Sequence, residues 1–552
     1  LPAFLRGLTS QVFDIDSGGL LAQPSSDAVL AVRQICLAFK KVRLPCSTFR
    51  TRRTFDGYVK IEEELRGPAR VVPERLLRRF EELSRILWGE PLSAFGIRSG
   101  GWYGTPKHGP GATAEKVSSE NSKYRFAQWH HRLQTFFPAD GFIRPDLGAQ
   151  VDNDCGTGTM GWARHPSNNG DGKGFAKDQL PGYDHLGRNP ALGSLTGIEF
   201  LEPGAEPPVR VVSVPKTLKG PRIIAIEPLC MQYTQQGLLE TIVSQIESVG
   251  LCVGHINFSD QQVNRDLALR ASKHGCHATI DLSEASDRVP SDLVYRMLSC
   301  NPDLRDAIFA CRSTRAKLPS GLTIRLRKFA SMGSALCFPM ESMVFITLCI
   351  LGRLEMRGLR ATPKSIKAAL KGVYVYGDDI IVPTDAVDSA VSILETFGLK
   401  VNLAKSFWTG KFRESCGLDA FDGVEVKPTY IREKLPSSRR HVPGIVSTIS
   451  SANQFYKTGW WGTAKWLRAY MDRLLGPLPH VGDDSPASGW HSYDKRYDIH
   501  RWNRDLQRPE VRAWLVTPAY RDDPLDGYPA LLKFFLKRGR DPRSDGHLER
   551  TV

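Results

Sequence analysis

The sequence has no CxxC pair, although it holds eleven cysteines scattered from Cys36 to Cys416. That spacing argues against a structural zinc site and against a disulfide framework, and it favours a reducing cytosol. Apolar runs of membrane-spanning length are also missing. The most apolar stretch, Met343 to Gly352, covers about half of the ~20 residues that a spanning helix needs. The first residues, LPAFLRGLTS, lack the long apolar region of a signal peptide, so no membrane association is expected. No internal repeat is evident. Acidic residues are the minority charge: 59 Asp+Glu against 74 Lys+Arg leave a net charge of +15. Such a surplus suits a polyanionic partner, nucleic acid foremost, and equally a merely basic soluble protein. With 41% hydrophobic and 24% charged residues the chain is globular, and 552 residues exceed one ordinary core. Two to four domains or subdomains are expected.

Along the chain, residues 1 to 100 read as mainly helical. Basic clusters there (Lys40, Lys41, Arg43, Arg50, Arg52, Arg53) each read as a solvated face as readily as a binding surface. The stretch GGWYGTPKHGPGATAE (100 to 115) combines backbone freedom with basic side chains and would suit a phosphate backbone. Residues 151 to 195 are poor in apolar residues and read as a long loop or insertion. From 209 the patterning tightens. VRVVSVP is a strand, Gln232 to Val249 a helix, and HATID (277 to 281) a short strand ending on an aspartate. A helix opens near Ser291, and Met340 to Leu351 is an apolar helix. VYVYGDDIIVP (373 to 383) is a hairpin turning at Gly377 and Asp378. Asp385 to Phe397 is a helix stopped by Gly398. Strands alternate through VEVKPTYIR (424 to 432), and past 435 the chain turns helical, with Trp460, Trp461 and Trp466. This order is an α+β plan, helices packed on a small antiparallel sheet.

The hairpin tip poses a chemical question, because Asp378 and Asp379 are adjacent like charges inside an apolar setting. A surface turn is one answer, Gly and Asp being ordinary turn residues. The other comes from Asp281. If the HATID strand pairs beside the hairpin, all three carboxylates meet at one sheet edge. They would then call for divalent cations, and Mg²⁺ takes such oxygen ligands while sharing its shell with phosphates. Two such ions can hold the attacking and leaving oxygens of a phosphoryl displacement. Asp281 as a plain helix N-cap is the alternative.

IDLSEASD (280 to 287), SMGSALCFPMESMVF (331 to 345), YGDD (376 to 379), NLAKSF (402 to 407) and FRESCGLDAFDGVEVKPTYIR (412 to 432) resemble successive motifs of RNA-directed RNA polymerases. They are most similar to the replicase beta subunits of single-stranded RNA bacteriophages (levivirus-like). VSVPKTLKGPRIIAIEP (212 to 228) and INFSDQQVNRDLA (256 to 268) resemble the fingers segments of that family. The resemblance runs in order from about 209 to 432.

It implies a right-hand fold: an N-terminal region and fingers (1–275), a palm (276–432, with a fingers-linked insertion around 305–330), and a thumb with the C-terminal region (433–552). It implies that Asp281, Asp378 and Asp379 serve two magnesium ions, with manganese as a possible substitute, while an RNA 3′-hydroxyl attacks the α-phosphate of a nucleotide. Lys216, Lys219 and Arg222 would grip the triphosphate, where fixed positive charge is needed; a basic strand-turn surface is the alternative. Lys405 matches the position proposed to protonate the departing pyrophosphate, or is simply solvated. Asp287, with Ser286, matches the reader of the ribose 2′-hydroxyl; otherwise it pairs with Arg288 or another surface base. Gly333 resembles the close-approach glycine under the template and nascent base pair. Here the sequence departs from the phage pattern. Ser334 and Ala335 replace the usual Asn-Gly and Cys337 a Thr, which bears on ribose and template contact through Ser334 and Glu341. FRESCG would support the priming strand, with Arg413 at the RNA backbone; a purely structural role for Glu414 and Cys416 is the alternative.

Two other readings are a polymerase of the capsidless narna- and mitovirus-like lineages and a non-catalytic RNA-binding, template-recognition protein. FRESCG and NFSDQQVNRDLA favour the phage side, and the three retained aspartates speak against a silent protein. The resemblance further implies RNA template and product, nucleoside triphosphates, the host elongation factors Tu and Ts, a ribosomal small-subunit RNA-binding protein, and the host bacterial cytoplasm.

Overall fold

The computed structural model describes residues 3–66, 72–95, 104, 106–116, 119, 121–143, 198–217, 220–494, 497–517 and 523–538. The loop expected over 151–195, residues 100–103 of the Gly-rich stretch, and Lys219 lie outside the described residues.

A three-stranded antiparallel sheet occupies the centre, in the order His277–Ile280, Asp379–Pro383, Tyr374–Tyr376. Most of its residues are β-branched, small or aromatic, and Ala278, Ile280, Val375, Ile380, Ile381 and Val382 are all buried. Both faces are therefore covered, which is why these strands read as continuous apolar runs rather than as alternating ones. Register is fixed by Ile280 beside Ile380 and by Tyr376 beside Asp379.

The helix Cys337–Met356 packs on this sheet and is buried on nearly every side, as a core helix is. It begins three residues before the expected Met340 and runs 20 residues, long and apolar enough to cross a membrane. Its most apolar window is nevertheless 94% buried inside the protein, so the apolarity is spent on the core. Gly352 lets the helix Val387–Thr396 approach: a Cβ there would stand 2.6 Å from the Ser389 carbonyl oxygen. That second helix ends where expected, Gly398 taking φ +86° and the Leu399 N–H returning to the Leu394 carbonyl. The N-terminal helix Glu74–Trp88 joins the same core through Leu83, Leu87 and Trp88, whose indole N–H donates to Thr347 Oγ1 at 3.1 Å.

A second sheet of four strands runs Gly220–Ile226, Val209–Thr217, Arg315–Lys317, Thr323–Arg325. Residues 315–325 thus fold onto the 209–226 hairpin, and the helix Thr48–Arg66 covers it through Phe55 and Tyr58. A third sheet, Phe412–Ser415, Leu418–Phe421 and Val424–Glu425, packs on the helix Gln262–His274. The strand expected over 424–432 pairs only at Val424 and Glu425. Pro428 removes a ladder donor, and beyond it Thr429 bonds both ways with the Gln34 amide at 2.8 and 2.9 Å. Helices Val442–Lys457 and Trp461–Leu475 form a separate apolar pair around Ile449, Ala452, Ala464 and Leu467. The fold is α+β.

Candidate active site

Sequence chemistry explains why the hairpin turns where it does. Only Gly377 and Asp378 separate the paired Tyr376 and Asp379, and Gly377 takes φ +61°, as the first position of a two-residue hairpin loop requires. Glycine is doubly demanded, because a Cβ at 377 would lie 2.2 Å from Cε2 of Phe338. The Gly377 N–H donates to Ser342 Oγ at 3.1 Å, one helical turn beyond that ring. The central helix thereby fixes the tip, and with it Asp378.

Asp281 follows Ile280 directly and so emerges beside the tip. Residues 401–407 run along the other side of its strand, with bridges Thr279–Phe407 and Leu282–Val401. They hold Asp281 from several directions. Asn402 Nδ2 donates to its Oδ2 at 2.8 Å, its own N–H donates to Ser406 Oγ at 3.0 Å, and Lys405 Nζ stands 3.3 Å from both carboxylate oxygens.

The electrostatics show three carboxylates that feel one another. Asp378 is reached by water at the tip yet surrounded by protein, and burial together with the Asp281 charge raises its pKa. Asp379 is pushed up to about 7 by burial and by Asp378, against the opposing hydrogen bond from Cys416. Lys216 shifts the opposite way: burial, Arg222 and Lys405 lower its pKa, while Asp378 and Asp281 act to raise it. Lys216 and Lys405 thus sit within electrostatic reach of the acidic edge, and Arg222 within reach of Lys216.

These carboxylates are the hard oxygen donors that a divalent cation takes, and crowded like charges are what such a cation relieves. Among the described residues no three His, Cys, Asp or Glu side chains are gathered tightly enough to hold an ion as they stand. Asp281 is turned instead to Lys405 and Asn402.

The other expected residues fall differently. Arg222 is exposed opposite Val214, beside an irregularity in the strand pairing. Asp287 does not pair with Arg288, which goes to Glu64 at 2.8 Å and Glu284 at 3.4 Å; its Oδ1 accepts from Lys328 Nζ at 2.9 Å. Glu341 is buried, so it faces Ser286 and the Cys337 thiol rather than open space. Burial, with the Asp378 and Asp287 charges, pushes its pKa up to about 8 against the Ser286 hydrogen bond. Ser334 Oγ donates to Gln235 Oε1 at 3.0 Å and lines a small cavity with Glu227 and Ser331. Gly333, at φ +129°, lies so close to a strand that a Cβ would meet the Ala225 carbonyl oxygen at 2.0 Å. Protein backbone alone therefore demands that glycine. Arg413 is fully buried and donates to the carbonyls of His277, Gly410 and Phe412, so it does not reach an RNA backbone.

Residues beyond those given a catalytic or binding role from sequence also shape the site. Asn402 and Ser406 flank Lys405 in NLAKSF, so the motif itself was the available signal. Cys416, at φ +46° before Gly417 at φ +70°, turns a second two-residue hairpin whose tip meets Asp379. Lys328 carried no signal in its neighbourhood.

At this sheet edge the three carboxylates are thus met by Lys405 and Lys216. Over residues 205–443 the chain matches the family described as RNA replicase, beta-chain. It is 34% identical over 247 residues to the RNA-directed RNA polymerase subunit beta of Qbeta virus (strain MX1), covering 45% of this chain and 39% of that protein. It is 37% identical over 223 residues to the RNA-directed RNA polymerase beta chain of Escherichia phage MS2, covering 40% and 37%. The chain thus matches about two fifths of the length of these relatives. The RNA-dependent RNA polymerase of a human picorbirnavirus superposes over 48% of this chain and 55% of its own, with 11% identity and a TM-score of 0.35, too slight a likeness to bear on the fold.

Proposed function

We propose that this protein synthesises RNA on an RNA template, transferring a nucleotidyl group from a nucleoside triphosphate to an RNA 3′-hydroxyl and releasing pyrophosphate. One observation supports this most. Asp281 and the Asp378–Asp379 tip share a sheet edge, with Lys405 and Lys216 in electrostatic reach, inside the segment matched to replicase beta-chains. The metal that suits this donor set is magnesium, as two ions with manganese as substitute, and it would supply the charge that keeps attacking and leaving oxygens in line. Asp281 and Asp378 would hold it, with Asp379 beside them. Lys216, Lys219 and Arg222 bind the triphosphate, putting positive charge where negative charge builds up. Lys405, already 3.3 Å from Asp281, hands a proton to the departing pyrophosphate. Asp287, positioned beside Ser286, reads the ribose hydroxyl.

In this reading 1–275 form the N-terminal region and fingers, 276–432 the palm, and 433–552 the thumb and C-terminal region. The work is done in the host bacterial cytoplasm, with elongation factors Tu and Ts and a ribosomal small-subunit RNA-binding protein as partners.

The test is nucleotide incorporation on a defined RNA with Mg²⁺ and four nucleotides, with and without those host proteins. Asp378→Asn keeps shape but removes a carboxylate charge, while affinity for the RNA backbone comes from lysine and arginine elsewhere. The variant is expected to lose polymerisation and retain RNA binding. Copying within about tenfold of the parent, under about 1.4 kcal/mol of barrier, would refute the assignment.

A further inference from the structure

Lys328 lies between the strand Thr323–Arg325 and the Ser331–Gly333 turn, and its side chain has 0% exposure. A bare ammonium inside a protein is heavily penalised, so its surroundings must compensate it. Its Nζ stands 2.9 Å from Asp287 Oδ1, 3.3 Å from Glu62 Oε1, and 3.5 Å from the ring centroid of Tyr58. Burial acts to lower the pKa of this ammonium, and Asp287, Tyr58 and Glu62 more than reverse it. Both Tyr58 and Glu62, on the helix Thr48–Arg66, are themselves tied to the same segment. Tyr58 Oη lies 2.8 Å from Ser331 Oγ, and Glu62 Oε2 accepts the Arg327 N–H at 2.6 Å.

The backbone around Lys328 is equally restrained. The Phe329 N–H donates to the Val289 carbonyl at 2.7 Å, the Ser291 N–H to the Arg327 carbonyl at 2.9 Å, and Arg312 to the Lys328 carbonyl at 2.7 Å. Asp287, by contrast, sits on a single 3-10 turn, Ser286–Arg288, with its side chain 21% exposed. A carboxylate on one short turn has a choice of rotamers, and a fixed, desolvated cation removes that choice.

We propose that Lys328 is the positioning residue for Asp287. It holds Oδ1 and so leaves the other oxygen directed at the ribose 2′-hydroxyl of the incoming nucleotide. Tyr58 and Glu62 hold Lys328 in turn. The helix Thr48–Arg66, outside the segment matched to replicase beta-chains, is thereby part of the sugar-reading apparatus. The inference rests on the polymerase reading and on Asp287 as the reader of the sugar. A site that hydrogen-bonds a hydroxyl rejects the analogue lacking it by roughly 10⁴-fold or more, and only while its polar group is held in place.

The experiment is single-nucleotide incorporation on a fixed RNA template with paired ribo- and deoxynucleotides. It compares the parent, Lys328→Met, the charge-balanced Lys328→Met/Glu62→Gln, Asp287→Ala, and Lys328→Met in the Asp287→Ala background. Each Lys328 variant is expected to narrow the ribo-to-deoxy ratio of kcat/KM by about tenfold or more, through the ribonucleotide alone. In the Asp287→Ala background the same change is expected to move the ratio less than about twofold, because residues acting as a unit are not additive. If Lys328→Met fails to fold, the charge-balanced variant carries the test. An equal loss for both sugars, an unchanged ratio in Asp287→Ala, or unfolding of both Lys328 variants overturns the positioning role. A parent that incorporates no nucleotide overturns instead the polymerase reading beneath it.

Discussion

Replacing Gly377 with alanine probes how the acidic tip is held. The new Cβ would stand 2.2 Å from Cε2 and 2.9 Å from Cδ2 of Phe338, at a residue whose φ is +61°. The ring has little freedom to move away, since it meets Tyr376 edge-on at 5.1 Å and Phe258 at 5.9 Å. A left-handed backbone costs a non-glycine residue roughly 1–2 kcal/mol. Overpacking against a fixed ring costs roughly 1–3 kcal/mol more, so the substitution should destabilise by about 2–5 kcal/mol. Urea unfolding followed by tryptophan fluorescence measures this as a shift in midpoint at unchanged slope. A second variant, Gly377→Ala/Phe338→Leu, separates the two parts, because a smaller side chain relieves the clash and leaves the backbone strain. It should be less harmed by the alanine than the Phe338 parent is, by about 1–3 kcal/mol relative to Phe338→Leu alone. A loss below about 0.5 kcal/mol in the single variant, or no relief in the double, would refute the claim that ring and hairpin tip are in enforced contact.

Two further outcomes are expected. Arg222→Ala should raise the apparent KM for nucleotides or lower turnover while template affinity stays level; weakened RNA binding with unchanged nucleotide kinetics would place Arg222 in the template path instead. Glu227 is buried, and that burial pushes its pKa up to about 7 from 4.5 despite hydrogen bonds from Ser313 and Gln235. The folded state therefore holds a proton that the unfolded chain has released between these values. The stability this contributes is full below about pH 4.5 and is lost as pH rises to about 7. Glu227→Gln should abolish that loss and be more stable than the parent at pH 8, by on the order of 3 kcal/mol. Equal pH dependence of urea midpoints in the two proteins would refute it.

Much of the centre was legible before any coordinates, for reasons that are local. Hairpin, HATID strand and the helix stopped at Gly398 are written in turn chemistry, period and length, and the structure places them within a few residues of expectation. Where local signals conflict, reading fails. VEVKPTYIR has strand composition, but Pro428 and the amide of Gln34 take the backbone elsewhere. The membrane-length helix was underestimated because its polar residues interrupt the apolar count, while burial tolerates Ser342 and Thr347 through bonds to Phe338 and Met343 carbonyls.

Side-chain roles divide along the same line. Asp281, Asp378 and Asp379 follow from strand ends and a two-residue turn, so residue order alone brings them to one edge once the strands pair. That Arg413 is an internal brace, that Glu341 points inward, and that Gly333 serves a strand were decided by packing. The pairing of Asp287 with Lys328, of Lys328 with Glu62, and of Tyr58 with Ser331 joins segments up to 273 residues apart. No spacing or period encodes such a contact. It exists because a buried charge must find its counterpart, and only the tertiary structure determines which counterpart is near.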